Sequence, residues 1–149
     1  MDKEVLKQIL LEQESSENKA LIGVERERLT LIDSLIPLAH VVIIPGVRRC
    51  GKSTLMRQIL KKHYEGAIYF VDFEDERFVK FTAEDFNLLY ETLIEMYGLK
   101  TVFFFDEIQN IANWELFVRR IHREQNKVFI TGSNASLLSS DMRIFSIKM

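Results

Sequence analysis

This chain of 149 residues has a single cysteine and a net charge of only −2, and each shortage excludes something. A lone Cys50 forms no internal disulfide, so a disulfide-stapled secreted scaffold is excluded and a reducing, cytoplasmic setting is expected. The small net charge gives no global pull towards nucleic acid or a membrane surface, leaving only a local patch open. No apolar run approaches the roughly 20 residues that span a bilayer. The start, MDKEVLKQ, is charged and has no signal-peptide core behind it. Internal repeats and low-complexity segments are also lacking. What is present is apolar content, 47% of residues, enough to exclude a disordered chain and to build one domain with a real core.

The most informative stretch is VVIIPGVRRCGKSTL, from Val41 to Leu55. A β-branched run breaks at Pro45, a loop bounded by Gly46 and Gly51 follows, and helix-compatible residues begin near Lys52. Gly46-x-x-x-x-Gly51-Lys52-Ser53 in a strand–loop–helix context is the pattern of a phosphate-binding loop. The glycines let successive N–H groups turn inward as an anion nest, and the helix directs its positive end to the same place. Lys52 is placed to reach the β- and γ-phosphates, and the Ser53 hydroxyl to ligate Mg²⁺. Cys50, inside this loop, reads as a small residue that fits a tight turn.

Ahead of this motif, residues 3 to about 13 carry an apolar helical stripe (Val5, Leu6, Ile9, Leu10), and Glu14 to Lys19 reads as a polar break. A second helix is expected from about Glu27 to Ile36, ending before Pro37. Residues 1–38 thus form a helical leader and 39–149 the core domain. Within the core, Val41–Ile44, Ala67–Phe73, Thr101–Phe105 and Lys127–Ile130 are apolar without alternation, as in strands buried on both faces of a parallel sheet. Helices alternate with them, from Lys52 to about Tyr64, from Thr82 to Gly98, and from Asn113 to about Gln125. Thr82 to Asp85 resembles a capping box, Gly98 a C-cap and Asn113 an N-cap. Trp114, Phe117, Val118 and Ile121 share one face of the last helix and read as core. Glu74 to Arg77 reads as a solvated loop.

The third strand ends in Asp106-Glu107. Ligands of open parallel sheets gather at the carboxyl ends of the strands, so these acids fall beside the phosphate loop. Asp106 is the expected metal-side carboxylate and Glu107 the group that orients or deprotonates the attacking water. At the end of the fourth strand, Thr131, Ser133 or Asn134 is placed to hydrogen-bond between the γ-phosphate and that water. Guanine specificity is disfavoured, because Asp106 to Gln109 lacks the glycine of DxxG and Asn126 to Phe129 lacks the aspartate of NKxD. Small-molecule kinases share the loop but need not follow their third strand with an acid pair. The basic cluster Arg119, Arg120, His122 and Arg123 is either a solvated surface, a nucleic-acid contact or a source of an arginine for a neighbour's γ-phosphate. His40, His63 and His122 show no metal-ligand spacing.

Taken together, GVRRCGKSTLMRQ, FFFDEIQNIANWELFVR and ITGSNASLLS resemble the AAA+-like ATP-binding proteins of bacteria and archaea, over roughly Val41 to Asp141. The resemblance implies an α/β P-loop NTPase sandwich in which the first strand lies between the fourth and a fifth, with the third and second beyond. It implies ATP and Mg²⁺ as ligands, with hydrolysis driving or switching a partner; a module that holds nucleotide without turnover, and a nucleic-acid-associated regulatory protein, are the alternatives. It makes Gly46, Val47, Arg48, Arg49, Cys50, Gly51, Lys52, Ser53 and Thr54 the nucleotide loop and Ser53 and Asp106 the Mg²⁺ residues. Glu107 and Lys52 become catalytic, with Asn134 as sensor and Ser133 as its fallback. Relatives continue into a Gly-Arg segment, a fifth strand, a helical lid and a C-terminal domain, whereas this chain ends in SSDMRIFSIKM. A sheet of about four strands is therefore expected, with the fifth missing. The strand bearing the loop would then be an exposed edge, and self-association or coverage by the N-terminal helices is expected.

Overall fold

Four apolar runs become parallel strands of one sheet in a computed structural model, which describes residues 1–19, 33–34, 36–38, 41–45, 52–132 and 144–146. The strands are β1 (Val41–Pro45), β2 (Tyr69–Asp72), β3 (Val102–Asp106) and β4 (Lys127–Gly132), joined by a short β5 (Ile144–Ser146) in the order β2-β3-β4-β1-β5. This is the strand order that the sequence resemblance implies. The helices are α1 (Lys3–Lys19), α2 (Lys52–His63), α3 (Phe86–Tyr97) and α4 (Trp114–Arg123). The expected helix near residues 27–36 lies largely outside the described residues.

Two apolar layers sandwich the sheet, because side chains alternate along each strand. On one face Val41, Ile43, Val71, Phe103, Phe105, Val128 and Ile130 meet α1, α3 and α4. On the other, Val42, Ile44, Phe104 and Phe129 meet Leu55, Met56 and Ile59 of α2. Aromatic rings fill both layers: Phe104 stacks on Phe129 at 4.5 Å and Phe86 on Phe117 at 4.7 Å between centroids. Each fully buried side chain of this kind contributes about 1.5–3 kcal/mol. The expected stripe of α4 is buried, as Trp114, Phe117, Val118 and Ile121.

Several expectations need correction. The fifth strand is present: Val41, Val42 and Ile43 pair with Ile144, Phe145 and Ser146. β1 is therefore an interior strand, and the exposed-edge argument for self-association loses its premise. Glu14 to Lys19 is no break, since α1 runs on to Lys19. That stretch holds no glycine or proline, and its acids find partners: Arg57 bonds Glu17 at 2.9 Å and the Tyr97 hydroxyl bonds Glu14 at 3.0 Å. Nor is Glu74 to Arg77 merely solvated. Phe78 is buried there, and Arg77 reaches Asp75 at 2.8 Å and Glu12 of α1 at 2.6 Å.

Helix ends follow local chemistry. The capping box at Thr82 forms, with its N–H on the Asp85 carboxylate at 2.8 Å, though the first turn is 3-10 before α3 begins. Gly98 ends α3 at φ 77°, where a Cβ would be strained, and its N–H bonds the Ile94 carbonyl at 2.8 Å. Asn113 occupies the N-cap position of α4 at φ 61° without a side-chain capping bond. Its use there is tolerance of the left-handed region.

Candidate functional site

Phe70, Phe104, Phe129 and Val42 all point towards α2, so the residue two further along each strand shares that face. Those residues are Asp72, Asp106, Thr131 and Ile44, and the register aligns them across the sheet. Asp72 lies opposite Asp106, Asp106 opposite Thr131, and Thr131 opposite Ile44. A polar row thus crosses the carboxyl ends of three strands and reaches β1 at the point where it leaves for the glycine loop. Residues 46–51 of that loop, and Ser133 and Asn134, lie outside the described residues. The strand before the loop and the helix after it, opening at Lys52 with Ser53 and Thr54 in its first turn, have the expected arrangement.

Asp106 is 8% exposed and accepts a hydrogen bond from the buried Thr131 hydroxyl. Of the three polar candidates at the end of β4, Thr131 is therefore engaged with the acid. Glu107 is 3% exposed and stands at φ 55° and ψ 40°, a left-handed conformation that costs a non-glycine residue about 1–2 kcal/mol. Its N–H bonds the Thr131 carbonyl at 2.9 Å, its carbonyl receives the Asn110 N–H at 3.2 Å, and its carboxylate accepts from Gln109 Nε2. The turn after β3 is also tied to the residue that follows β2, through Asn110 Nδ2 on the Phe73 carbonyl at 3.2 Å.

Asp72 was missed by sequence reading, although it ends its apolar strand in the same way that Asp106 ends β3. Its Oδ1 accepts the Glu74 N–H at 2.9 Å. Burial, and then the neighbouring charge of Asp106, push its carboxyl up to about 7. Asp75 behaves oppositely: hydrogen bonding from Arg77 holds it down to about 2. The second omission is Gln13 of α1, whose side chain receives the Asp72 N–H at 3.0 Å and donates to the Asp72 carbonyl at 2.9 Å. No motif marks a glutamine for that task.

A buried carboxylate steadied by a hydroxyl, with a second carboxylate beside it, suits a hard cation. Mg²⁺ takes one or two protein carboxylates and completes its shell with water and phosphate oxygens. Among the described residues no group of three or more His, Cys, Asp or Glu forms a ready-made cage. The basic cluster of α4 lies elsewhere: Arg120 lies over the Phe117 ring at 5.3 Å and bonds Asn87 at 3.3 Å.

The profile of the AAA domain family matches residues 39–145. The chain belongs to that family. Relatives of this AAA domain include the uncharacterized protein MJ1544 of Methanocaldococcus jannaschii, 39% identical over 108 residues, or 72% of this chain and 24% of that protein. An uncharacterized protein of Haemophilus influenzae is 34% identical over 110 residues, 68% of this chain and 27% of its own. The domain thus spans about a quarter of the length of the curated relatives it matches. Among solved structures it is similar to AMPPCP-bound DnaA from Aquifex aeolicus, with TM-score 0.51 and 14% identity over 84% of this chain and 48% of that one. A DNA replication initiation factor gives TM-score 0.50 at 14% identity, covering 88% and 48%. At such identity the likeness concerns the fold alone, and the fold is the P-loop sandwich of AAA type. Among the described residues no helix is long and apolar enough to cross a membrane.

Proposed function

We propose that this AAA domain binds ATP with Mg²⁺ through residues 46–54 and hydrolyses it to ADP and phosphate, a cycle that drives or switches a partner. The observation that carries the reading is the polar row from Asp72 through Asp106 and Thr131 to the end of β1, with Glu107 directly after it. In this reading Lys52 draws charge from the β- and γ-phosphates, and Ser53 and Asp106 hold Mg²⁺, which supplies further charge neutralisation. Glu107 accepts a proton from water as the water oxygen bonds to the γ-phosphorus. The bond from that phosphorus to the bridging oxygen breaks, and ADP leaves. Asn134, or Ser133 in its stead, reports the γ-phosphate. A lone cysteine suits a reducing, cytoplasmic setting for this activity.

Melting with and without Mg-ATP, then phosphate release, tests the proposal. Ligand at about one hundred times its Kd adds roughly 2.7 kcal/mol to the folded state, a shift of several degrees. Lys52→Ala is expected to abolish the shift, and Glu107→Gln to keep it while losing turnover. A shift without phosphate release from the parent would instead describe a module that holds nucleotide. No shift in a folded sample would sink the nucleotide reading for this chain.

A further inference from the structure

Two side chains of α1 that stand one helical turn apart, Gln13 and Glu17, reach two different parts of the candidate site. Gln13 bonds the backbone of Asp72 through both ends of its amide, at 2.9 and 3.0 Å. The next residue, Phe73, carries that contact to the acids. Its N–H bonds the Asp106 carbonyl at 2.8 Å, and its own carbonyl receives Asn110 Nδ2 at 3.2 Å. Glu17 turns to α2 instead, where its two carboxylate oxygens accept from Arg57 Nε at 2.9 Å and Nη2 at 3.3 Å. Arg57 follows Lys52 by five residues and Ser53 by four on the same helix. Gln13, Glu17 and Asp72 line one cavity between these elements. Neither contact is what anchors α1, because Leu6, Ile9 and Leu10 bury it in the core.

We propose that Glu17 is a positioning residue of the nucleotide site. Through Arg57 it ties α2, the helix that opens at Lys52 and Ser53, to the same turn of α1 that Gln13 ties to the end of β2. This deepens the ATPase reading above and rests on its nucleotide-binding half. The chemistry suits a brace. Leu55, Met56 and Ile59 press α2 onto the sheet, and apolar contact is non-directional, so it governs closeness more firmly than sliding along the helix axis. A two-pronged arginine–carboxylate contact adds direction, since its geometry fails when either partner shifts. Arg57 and Glu17 are 26% and 19% exposed, which separates them from the open-surface pairs that contribute little.

The test measures the Kd for Mg-ATP of the full chain and of Glu17→Gln, Arg57→Gln and their combination, at a temperature where melting curves show each variant folded. Each single change is expected to weaken binding about fivefold or more, the lower end of ordinary coupling between sites. The combination should lose no more than the worse single change, since both remove one contact. Multiplied losses would show that the two residues act separately, and would overturn the pairing. Glu12→Gln is the control: it removes another contact of α1, to Arg77 at 2.6 Å, that does not reach α2. It should leave Kd within about twofold, as expected for a change outside the coupled pair. Arg57→Lys keeps the charge but not the two-pronged contact, so it should still weaken binding by more than about twofold, and it carries the measurement if the glutamine variants fail to fold. An unchanged Kd in folded Glu17→Gln, or an equal loss in Glu12→Gln, would reduce the pair to general packing of α1 and overturn the role. A parent that binds no Mg-ATP overturns the nucleotide reading and this role together. A parent that binds Mg-ATP and releases no phosphate overturns hydrolysis alone, and the comparison of Kd values still decides the role of Glu17.

Discussion

Asp72 shows how much of this site depends on where a single side chain falls. Burial and the Asp106 charge raise its carboxyl to about 7, whereas an unfolded aspartate titrates near its ordinary value of 3.8. Between those values the folded chain holds a proton that the unfolded chain has lost. Stability from this group is therefore full below pH 3.8, declines as pH rises, and is flat again above about 7. Asn in its place keeps the acceptor for the Glu74 N–H and never titrates. In buffer free of divalent cations, Asp72→Asn should match the parent near pH 4 and exceed it increasingly towards pH 7, by an amount on the order of a few kcal/mol at most. Melting both proteins across that range checks it, and a gap independent of pH would refute the assignment. The residue was hidden in the sequence because one acid ending an apolar strand resembles any strand terminus. Asp106 stood out only because Glu107 follows it.

Individual elements were legible to the extent that their signals were local. Apolar runs and a glycine-bounded loop specify β1 to β4 and the start of α2 from neighbours in sequence alone. The length of α1 was not legible, because Glu14 and Glu17 are helical through Tyr97 and Arg57, which are distant in sequence. This helix does more than pack: Leu6, Ile9 and Leu10 enter the core, while Gln13 bonds the outer edge of β2, the last strand on that side among the described residues. Its amide offers one donor and one acceptor to the backbone of Asp72, satisfying groups that an edge strand otherwise leaves open. Gln13→Leu retains the bulk and removes both bonds. Losing them should cost about 1–3 kcal/mol and several degrees of melting temperature. Gln8→Leu, on the exposed side of the same helix, should change stability by about 0.5 kcal/mol or less. Equal melting temperatures for parent and Gln13→Leu would show that α1 holds to the sheet by its apolar residues alone.

Across the whole molecule, the order β2-β3-β4-β1-β5 puts the strand that feeds the glycine loop in the interior, with β4 on one side and β5 on the other. The order was legible only through the family resemblance that the three motifs carry, which implies which strands are neighbours. β5 was not, since Ile144–Ser146 is three residues long and sits in a stretch with no motif. Pairing with Val41 to Ile43 is what makes it a strand. Without it, β1 would present a row of unpaired N–H and C=O groups flanked by Val41, Val42, Ile43 and Ile44, all buried in the intact chain. Ending the chain after Arg143 is therefore expected to lower the melting temperature and to shift the protein from its parental mass to larger, concentration-dependent species, because an apolar edge recruits another chain. Light scattering coupled to size exclusion, on parent and truncated chains at matched concentrations, measures both consequences once melting curves are added. Mg-ATP separates the two roles of β5. If β5 serves only to close the edge, nucleotide still raises the melting temperature of the truncated chain, whereas loss of that response would mean that β1 needs partners on both sides to hold its loop. A truncated chain with the mass and melting temperature of the parent would show that β1 is protected by something other than β5.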